Sequence, residues 1–401
     1  MPVAVATAPE RRYGEASRPP GASGRSWQSS TPCANGSPRR SITGPGSNSP
    51  WHAPCDATAS RTSTHPLVAC SDCGGEASPG AAGLYDFDAH DSRAYLSARQ
   101  HYRTGAINGH WGRLVENKLA AHWLLASAPD RHQRVDGLLV DGNGYETAGL
   151  GRDGDPGSLP DPTDSRGVPA AQFVREHLEV GERLVLKPVF GGRGYGIVFC
   201  GRDGDGLRVD GERVTERTFD DTVGSLDGCL VCRFVEQAPY AADRYPRATN
   251  TVRLVTMTEP RGGDPFLGMA VHRVGTSAST PMDNCSQGGL SARIDPETGW
   301  LGPARATDPS ASGRHTTHPE TGAPIDGVAV PGWETVRDAV LGMASDLPYL
   351  PYLGWDVVVT GDGEFRVLEL NKLVGVKSLQ VHEPLLADRH RRAFYEHHGV
   401  C

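Results

Sequence analysis

Two strand-like runs, Gly354-Trp355-Asp356-Val357-Val358-Val359 and Arg366-Val367-Leu368-Glu369-Leu370-Asn371, flank Thr360-Gly361-Asp362-Gly363-Glu364. Asp-Gly between alternating apolar runs is the strongest short-range signal for a β-hairpin. With Asp362 and Gly363 as the two central turn residues, Gly361 pairs with Glu364 and Asp356 falls opposite Glu369. Asn371 lies two residues on and shares the face of Glu369. Directly opposed side chains sit about 4.5–5.5 Å apart at Cβ, where like charges repel. A divalent cation would offset that repulsion. Asp356, Glu369 and Asn371 offer three oxygen-bearing side chains on one wall, a set that Mg²⁺ (or Mn²⁺) accepts when nucleotide phosphates complete its shell.

The remaining composition narrows the field. A chain of 401 residues is long enough for two or more domains. Its formal net charge is −8, and its basic residues form no long run, which argues against nucleic acid as the main partner. No apolar stretch reaches the roughly 18 residues of a transmembrane helix. The arginine pairs Arg11-Arg12 and Arg39-Arg40 are not followed by an apolar segment, so no secretory signal is expected. Nine cysteines are scattered without a regular framework, which fits free thiols in the cytoplasm.

Residues 1–80 differ from the rest. Gly, Pro, Ser, Thr and Ala dominate, with few bulky aliphatics, so a disordered low-complexity tail (or an overextended gene start) is expected. Within it, only Cys70-Ser-Asp-Cys73 has tight zinc-ligand spacing, and no second close pair follows. Residues 81–168 are expected to form a helical lead-in and linker. Arg93 to Gly105 predicts one short helix, Trp111 to Leu125 a second, and the Gly-, Asp- and Pro-rich 141–168 a loop. A strand-rich smaller lobe at 169–240 and a larger lobe at 241–401 follow. The larger lobe includes a helix between Val328 and Leu347.

Glu182 to Pro188 predicts a strand carrying Lys187. Val189-Phe190-Gly191-Gly192-Arg193-Gly194-Tyr195-Gly196 comes next, then a second strand at Ile197 to Cys200. The glycine loop thus joins two strands, opens no helix and lacks Gly-Lys-Ser/Thr. That argues against the P-loop and dinucleotide fingerprints, whose phosphate grip uses a helix N-terminus. Gly191, Gly192, Gly194 and Gly196 would let backbone N–H groups approach phosphate oxygens, with Lys187 as a point charge. An ordinary glycine-rich hairpin with an exposed lysine fits the same residues. Leu230 to Glu236 predicts a further strand, whose main chain at Arg233, Phe234 and Val235 could face adenine in a two-lobed site. Cys229 and Cys232 have CxxC spacing, but no helix follows them to make a redox motif.

A strand lysine, a glycine hairpin loop, a hinge strand and a terminal acid…Glu-x-Asn set occur in that order, which resembles the ATP-grasp superfamily. Asn250 to Thr256 and Ala270 to Val274 resemble its arginine strands. Met282-Asp283-Asn284, Gly288-Gly289, Asp295-Pro-Glu-Thr298-Gly299, His318-Pro319-Glu320-Thr321-Gly322 and Gly354-Trp355-Asp356 resemble the succession of the sugar-transfer-associated ATP-grasp family. The resemblance covers roughly residues 110–385. It implies an α+β ATP-grasp fold, two lobes clasping ATP, preceded by the tail.

The same resemblance implies site roles. Lys187 and the glycine loop would hold phosphates. Lys118 would reach the nucleotide, although a solvated helix lysine fits it nearly as well. Asp356, Glu369 and Asn371 would bind one or two Mg²⁺. Arg253 and Arg273 would stabilise the transferred phosphoryl group, and Asn284, Gly288 and Gly289 would line the phosphate and acceptor side. One departure from the family pattern is Lys372, directly after Asn371, whose charge would assist phosphate binding or point to the other strand face. The implied activity is an ATP-dependent ligase joining a small-molecule carboxylate to an amine or similar acceptor, with a genomic association to surface-polysaccharide pathways. A small-molecule kinase acting on a hydroxyl and a non-catalytic nucleotide-binding module are the alternatives. His315 and His318 are expected in a surface loop, Trp300, Trp333 and Trp355 in packing, and His397 and His398 in a frayed tail.

Overall fold

The computed structural model describes residues 83–147, 167–260, 262–308 and 313–401. The tail expected at 1–80, with Cys70 and Cys73, lies outside the described residues.

Three short helices come first: α1 (Ala98–Thr104), α2 (Gly112–Glu116) and α3 (Lys118–Leu124). The helix expected from Arg93 begins only at α1, because Ser97 and Gln100 form a reciprocal capping box that starts the helix there. The single helix expected over Trp111 to Leu125 is also divided. Asn117 is extended, and its side chain caps α3 by accepting from the amides of Leu119 and Ala120 at 3.0 Å.

The smaller lobe is an eight-stranded antiparallel sheet. Its strands are β1 (Val135–Val140), β2 (Asn143–Glu146), β3 (Val168–Pro169), β4 (Arg183–Pro188), β5 (Val198–Asp203), β6 (Gly206–Val209), β7 (Glu212–Val214) and β8 (Cys229–Arg233). They run in the order β3-β2-β1-β8-β4-β5-β6-β7. Helices α4 (Ala170–His177) and α5 (Glu216–Gly224) bury Phe173, Val174, Phe219 and Val223 against one face. The strands β1 to β3 correct the expected helical lead-in and the loop at 141–168. Asp141 and Gly142 take positive φ (49° and 74°) in a tight turn that starts a hairpin. A boundary at 168/169 cuts through this one sheet.

The larger lobe begins with α6 (Pro239–Ala242). Its strands are β9 (Val252–Thr258), β10 (Pro265–Val274), β11 (Leu290–Ile294), β12 (Leu301–Ala306), β13 (Arg314–His315), β14 (Tyr352–Val359) and β15 (Phe365–Asn371), in the order β13-β12-β11-β10-β9-β14-β15. Helix α7 (Trp333–Ser345) covers one face with Trp333, Val336 and Val340. Gly332 has φ 59°, and a Cβ there would lie 2.0 Å from the Gly363 amide nitrogen, so its lack of a side chain lets α7 start against the β14–β15 turn. The other face is covered by α8 (Lys377–Gln380), α9 (Arg389–His397) and the segment between them. Phe394, Tyr395 and Val400 are buried there, so the end expected to fray is packed.

The β14–β15 hairpin reaches the expected register by a different route. Thr360 bonds to Glu364 and Val359 pairs with Phe365, which makes a three-residue turn of Gly361 to Gly363. An extra residue, Leu368, then shifts the ladder, and Asp356 pairs with Glu369 after all.

Candidate functional site

Lys187, near the end of β4, is buried. Its ammonium donates to Gln133 Oε1 at 2.6 Å and to the Leu368 carbonyl at 3.1 Å. That carbonyl belongs to the bulge residue of β15, so the ladder shift supplies the acceptor. Gln133 Nε2 in turn donates to the Arg233 carbonyl at 2.7 Å. Lys118 is the first residue of α3, set there by the Asn117 cap, and its amide bonds the Val189 carbonyl. Its ammonium lies 2.7 Å from the Gly191 carbonyl and 3.3 Å from Glu369 Oε1.

The acidic wall is neutralised from within the protein. Asp356 accepts a bidentate pair from Arg253, Nε at 2.7 Å and Nη2 at 2.6 Å, and Arg273 Nη2 stands 3.1 Å from its Oδ2. Register explains the first contact, since Arg253 on β9 is the cross-strand partner of Asp356. Burial, the largest single influence, pushes the Asp356 carboxyl up. The charges of Arg253 and Arg273, with their hydrogen bonds, outweigh it and hold the group down at about 2. Asp283 accepts from the Thr251 amide at 2.7 Å and hydroxyl at 2.5 Å and lies 3.5 Å from Arg273. The repulsion expected between Asp356 and Glu369 is therefore offset by two guanidinium groups and Lys118, without a metal. Among the described residues, no cluster of three His, Cys, Asp or Glu forms. Asn371 Nδ2 is buried without a partner among the described residues.

The glycine loop joins β4 to β5, with Gly191, Gly194 and Gly196 at positive φ (108°, 75° and 74°). Its tip reaches the larger lobe: Asn284 Nδ2 donates to the Arg193 carbonyl at 3.3 Å, and a Cβ on Gly194 would lie 3.0 Å from Met282. Asn284 also caps the turn Cys285–Gln287, and Ser286 is a loop hydroxyl bonded to it. Gly288 ends that turn at φ 103°, and Gly289 packs against the Asp283 carbonyl.

The hinge differs from expectation. The Arg233 amide and carbonyl and the Phe234 amide are bonded to Arg134, Gln133 and Arg183, so these groups do not face a ligand. The Arg233 side chain pairs with Asp136 and Glu182. Among the described residues, the Val235 amide is the one of these donors without a hydrogen-bond partner.

Lys118, Lys187, Gln133 and Glu369 line one cavity with His122, His132 and the apolar Val115, Leu230 and Leu370. Its volume is about 30 Å³, room for a water molecule and no base. The rings of His122 and His132 meet edge to face at 4.3 Å, and both Nε2 atoms are buried without partners among the described residues. Burial, then the positive charges of His132 and Lys187, push His122 down to about 3.

The model of the sugar-transfer associated ATP-grasp family matches residues 168–392, more than half of the chain. The chain belongs to this family. No curated protein matches it. Similar solved structures include the ATP-grasp ligase PsnB with precursor peptide PsnA2 and AMPPNP, at 15% identity, 68% of this chain, 54% of that chain and TM-score 0.31. The L-amino acid ligase from Bacillus licheniformis gives 10%, 71%, 47% and 0.37. The D-alanine-D-alanine ligase from Coxiella burnetii gives 11%, 72%, 59% and 0.32. The chain spans about half the length of these proteins. At such scores the likeness is remote, and the family match carries the assignment.

Several residues of this ATP-grasp chain sit differently from expectation. His318 is buried, not in a surface loop. Its Nε2 bonds the Gly275 carbonyl at 2.8 Å, and its Nδ1 accepts from the amides of Glu320 and Thr321, so it braces a turn. Trp333 and Trp355 are packing residues, but Trp300 is 53% exposed. Lys372 pairs with Glu116 at 2.6 Å on α2. Cys229 and Cys232 are buried free thiols in β8.

In donor chemistry Asp356, Glu369 and Asn371 suit a hard divalent cation. Asp356 could join only by sharing its oxygens with Arg253 and Arg273, while among the described residues Glu369 forms one ion pair, with Lys118. Sequence reasoning missed Gln133, Thr251, His122 and His132. Thr251 lies within the arginine strand Asn250 to Thr256 and Asp283 within Met282-Asp283-Asn284, but nothing in the sequence marks Gln133.

Proposed function

We propose that this ATP-grasp protein is an ATP- and Mg²⁺-dependent ligase that activates a small-molecule carboxylate as an acyl phosphate and joins it to an amine or similar acceptor. The observation that carries the reading is convergence: Lys118 and Lys187, from outside the larger lobe, line one cavity with its Glu369. Arg253, Arg273 and Asp356 stand on the same sheet face beside Glu369. Phosphoryl transfer needs charge neutralisation and alignment more than a protein nucleophile.

In this reading Lys187 and Lys118 exchange their carbonyl partners for phosphate oxygens, and the glycine loop, with Gly192 and its neighbours, covers them. Asp356, Glu369 and Asn371 hold Mg²⁺, which would neutralise charge on the phosphates when bound. Arg253 and Arg273, fixed by buried carboxylates, present their remaining N–H groups to the transferred phosphoryl group. Asn284, Gly288 and Gly289 line the acceptor side, and the Val235 amide faces the base.

The test is product analysis with MgATP and a panel of carboxylates and amines. ADP and phosphate released only when both substrates are present, and lost in Lys187→Met and Glu369→Gln, support the ligase. A stable phosphorylated hydroxyl compound would replace it with a kinase. Tight ATP binding without turnover across the panel would leave a nucleotide-binding module.

A further inference from the structure

The strands β11 to β13 carry a second concave site outside the cleft. It is lined by Arg293, Asp295, Trp300, Arg305, Arg314 and His382, with a volume of about 340 Å³, within the range of small-molecule pockets. Register places it on the same sheet face as the cleft arginines. Arg314 pairs with Arg305, Arg305 with Ser291, and Ser291 with Arg273. Arg305 is therefore two strands from Arg273, about 10 Å away. His382 Nε2, 3.1 Å from Ser291 Oγ, and the Ser378 carbonyl, which accepts from that hydroxyl at 2.7 Å, fill the space over Ser291 between the two sites.

The charge of this pocket is unbalanced in a chain that is acidic as a whole. Arg305 donates to two main-chain carbonyls, Val381 at 2.6 Å and Leu84 at 3.3 Å, which fix its guanidinium without neutralising it. Arg314 is exposed, and among the described residues neither Arg305 nor Arg314 forms an ion pair within 4.0 Å; the charge of Arg314 acts on Arg305 ahead of that of Asp86. Arg293 is paired, 3.2 Å from Glu383, but that carboxylate also serves Arg391 at 2.7 Å. Asp295 keeps its negative charge: its Oδ1 accepts from the Thr298 amide and hydroxyl, both at 2.8 Å, and from the Glu297 amide, and Arg293 is the arginine whose charge acts on it, so the surplus of positive charge rests on Arg305 and Arg314. That turn is the Asp295 to Gly299 motif, which the cleft does not use, and it delivers Trp300 to the rim. Guanidinium groups bind oxyanions in forked pairs, and an exposed indole offers a flat surface for a ring.

We propose that this pocket binds a small oxyanion that carries a flat ring, its charged group on Arg305 and Arg314 and its ring on Trp300. The shared chemistry is that of a carboxylate or a phosphate ester.

The full chain, saturated with MgAMPPNP so that the cleft is occupied, is titrated calorimetrically with phenyl phosphate, benzoate and benzyl alcohol. At least one anion binds and the neutral alcohol does not; the tighter of the two identifies phosphate ester or carboxylate. Losing a charge-assisted hydrogen bond in Arg314→Gln should weaken the better anion at least about tenfold. Trp300→Ala should weaken it several-fold. Both residues are exposed, so both variants should keep the parent's melting temperature and its MgAMPPNP affinity. Failure of both anions to bind overturns the proposal. So does equal binding by the alcohol, or affinity unchanged in both variants. Loss of MgAMPPNP binding along with the anion would also overturn it as a separate site.

Discussion

Asp356 and Glu369 face each other across one hairpin, and a purely metal-binding pair would make them equivalent; the structure predicts that they are not. Asp356 is buried between two guanidinium groups, whereas the Glu369 side chain is 28% exposed beside one lysine. Removing one member of a buried ion pair costs about 3–5 kcal/mol, because the partner charge stays buried. The depressed carboxyl, at about 2 against the ordinary 3.8, points the same way and to the same order of magnitude, roughly 2–3 kcal/mol. Asp356→Asn should therefore lower the unfolding free energy by about 3 kcal/mol. Glu369→Gln breaks a partly exposed pair and should cost less than about 1 kcal/mol. The assay is equilibrium urea unfolding of both variants in EDTA, without nucleotide, so that metal binding contributes nothing. Because the Asp356 group is held down, its contribution is complete above pH 3.8 and lost as pH falls toward 2. Equal destabilisation of the two variants, or an Asp356→Asn protein as stable as its parent, would refute the account of the arginine-neutralised wall.

Three further outcomes follow from single contacts. Asn117→Ala removes the cap of α3 and should cost about 1 kcal/mol, while raising the KM for ATP because Lys118 loses its anchor; steady-state kinetics with a melting curve checks both. Gln133→Leu should tighten nucleotide binding roughly tenfold or more in the parent, because phosphate then need not displace the amide oxygen from the Lys187 ammonium. In a Lys187→Met background it should have almost no effect, and a double-mutant cycle by calorimetry decides this. His272 is fully buried, and burial, with the charge of Arg244 second, pushes it down to about 3. The unfolded chain takes up that proton near pH 6.5, so stability should fall below pH 6.5, by about 2 kcal/mol at pH 5; His272→Gln should flatten that slope in urea titrations.

The parts of this fold that sequence shows are those set by local pattern. Lys187, the glycine loop and β5 follow one another along the chain, and an antiparallel hairpin is all that their geometry requires. The facing of Asp356 and Glu369 was also legible, but through two errors that cancel: the turn has three residues instead of two, and Leu368 is an extra residue in β15. A bulge has no composition signal, since it is fixed by what the strand must reach, here the Lys187 ammonium. The β1–β2 hairpin at Asp141-Gly142 carries the same turn signal as Asp362-Gly363, yet the Gly- and Asp-rich residues after it mask the short strand Asn143–Glu146. Asn117 reads as a helix residue because apolar spacing continues through it, and only its capping contacts reveal the break. The counter-ions of Asp356 come from β9 and β10, about a hundred residues earlier in the chain, and hairpin geometry says nothing of them.

The partners of the four site cations divide them into two kinds. Arg253 and Arg273 are fixed by carboxylates through several short contacts, so displacing them would leave buried charges unpaired. The Lys187 ammonium is different. It is buried, its two bonds go to neutral oxygens, and among the described residues no carboxylate lies within ion-pair distance. A buried cation held only by carbonyl dipoles is under-compensated, and an anion that displaced those dipoles would gain what the protein alone does not supply. Lys118 is intermediate, shared between the Gly191 carbonyl and Glu369. Phosphate oxygens entering between the lobes would find two lysines free to change partners and two arginines that stay in place. Groups that stay in place need no reorganisation as charge moves during phosphoryl transfer, and that is the condition for electrostatic catalysis in such a site.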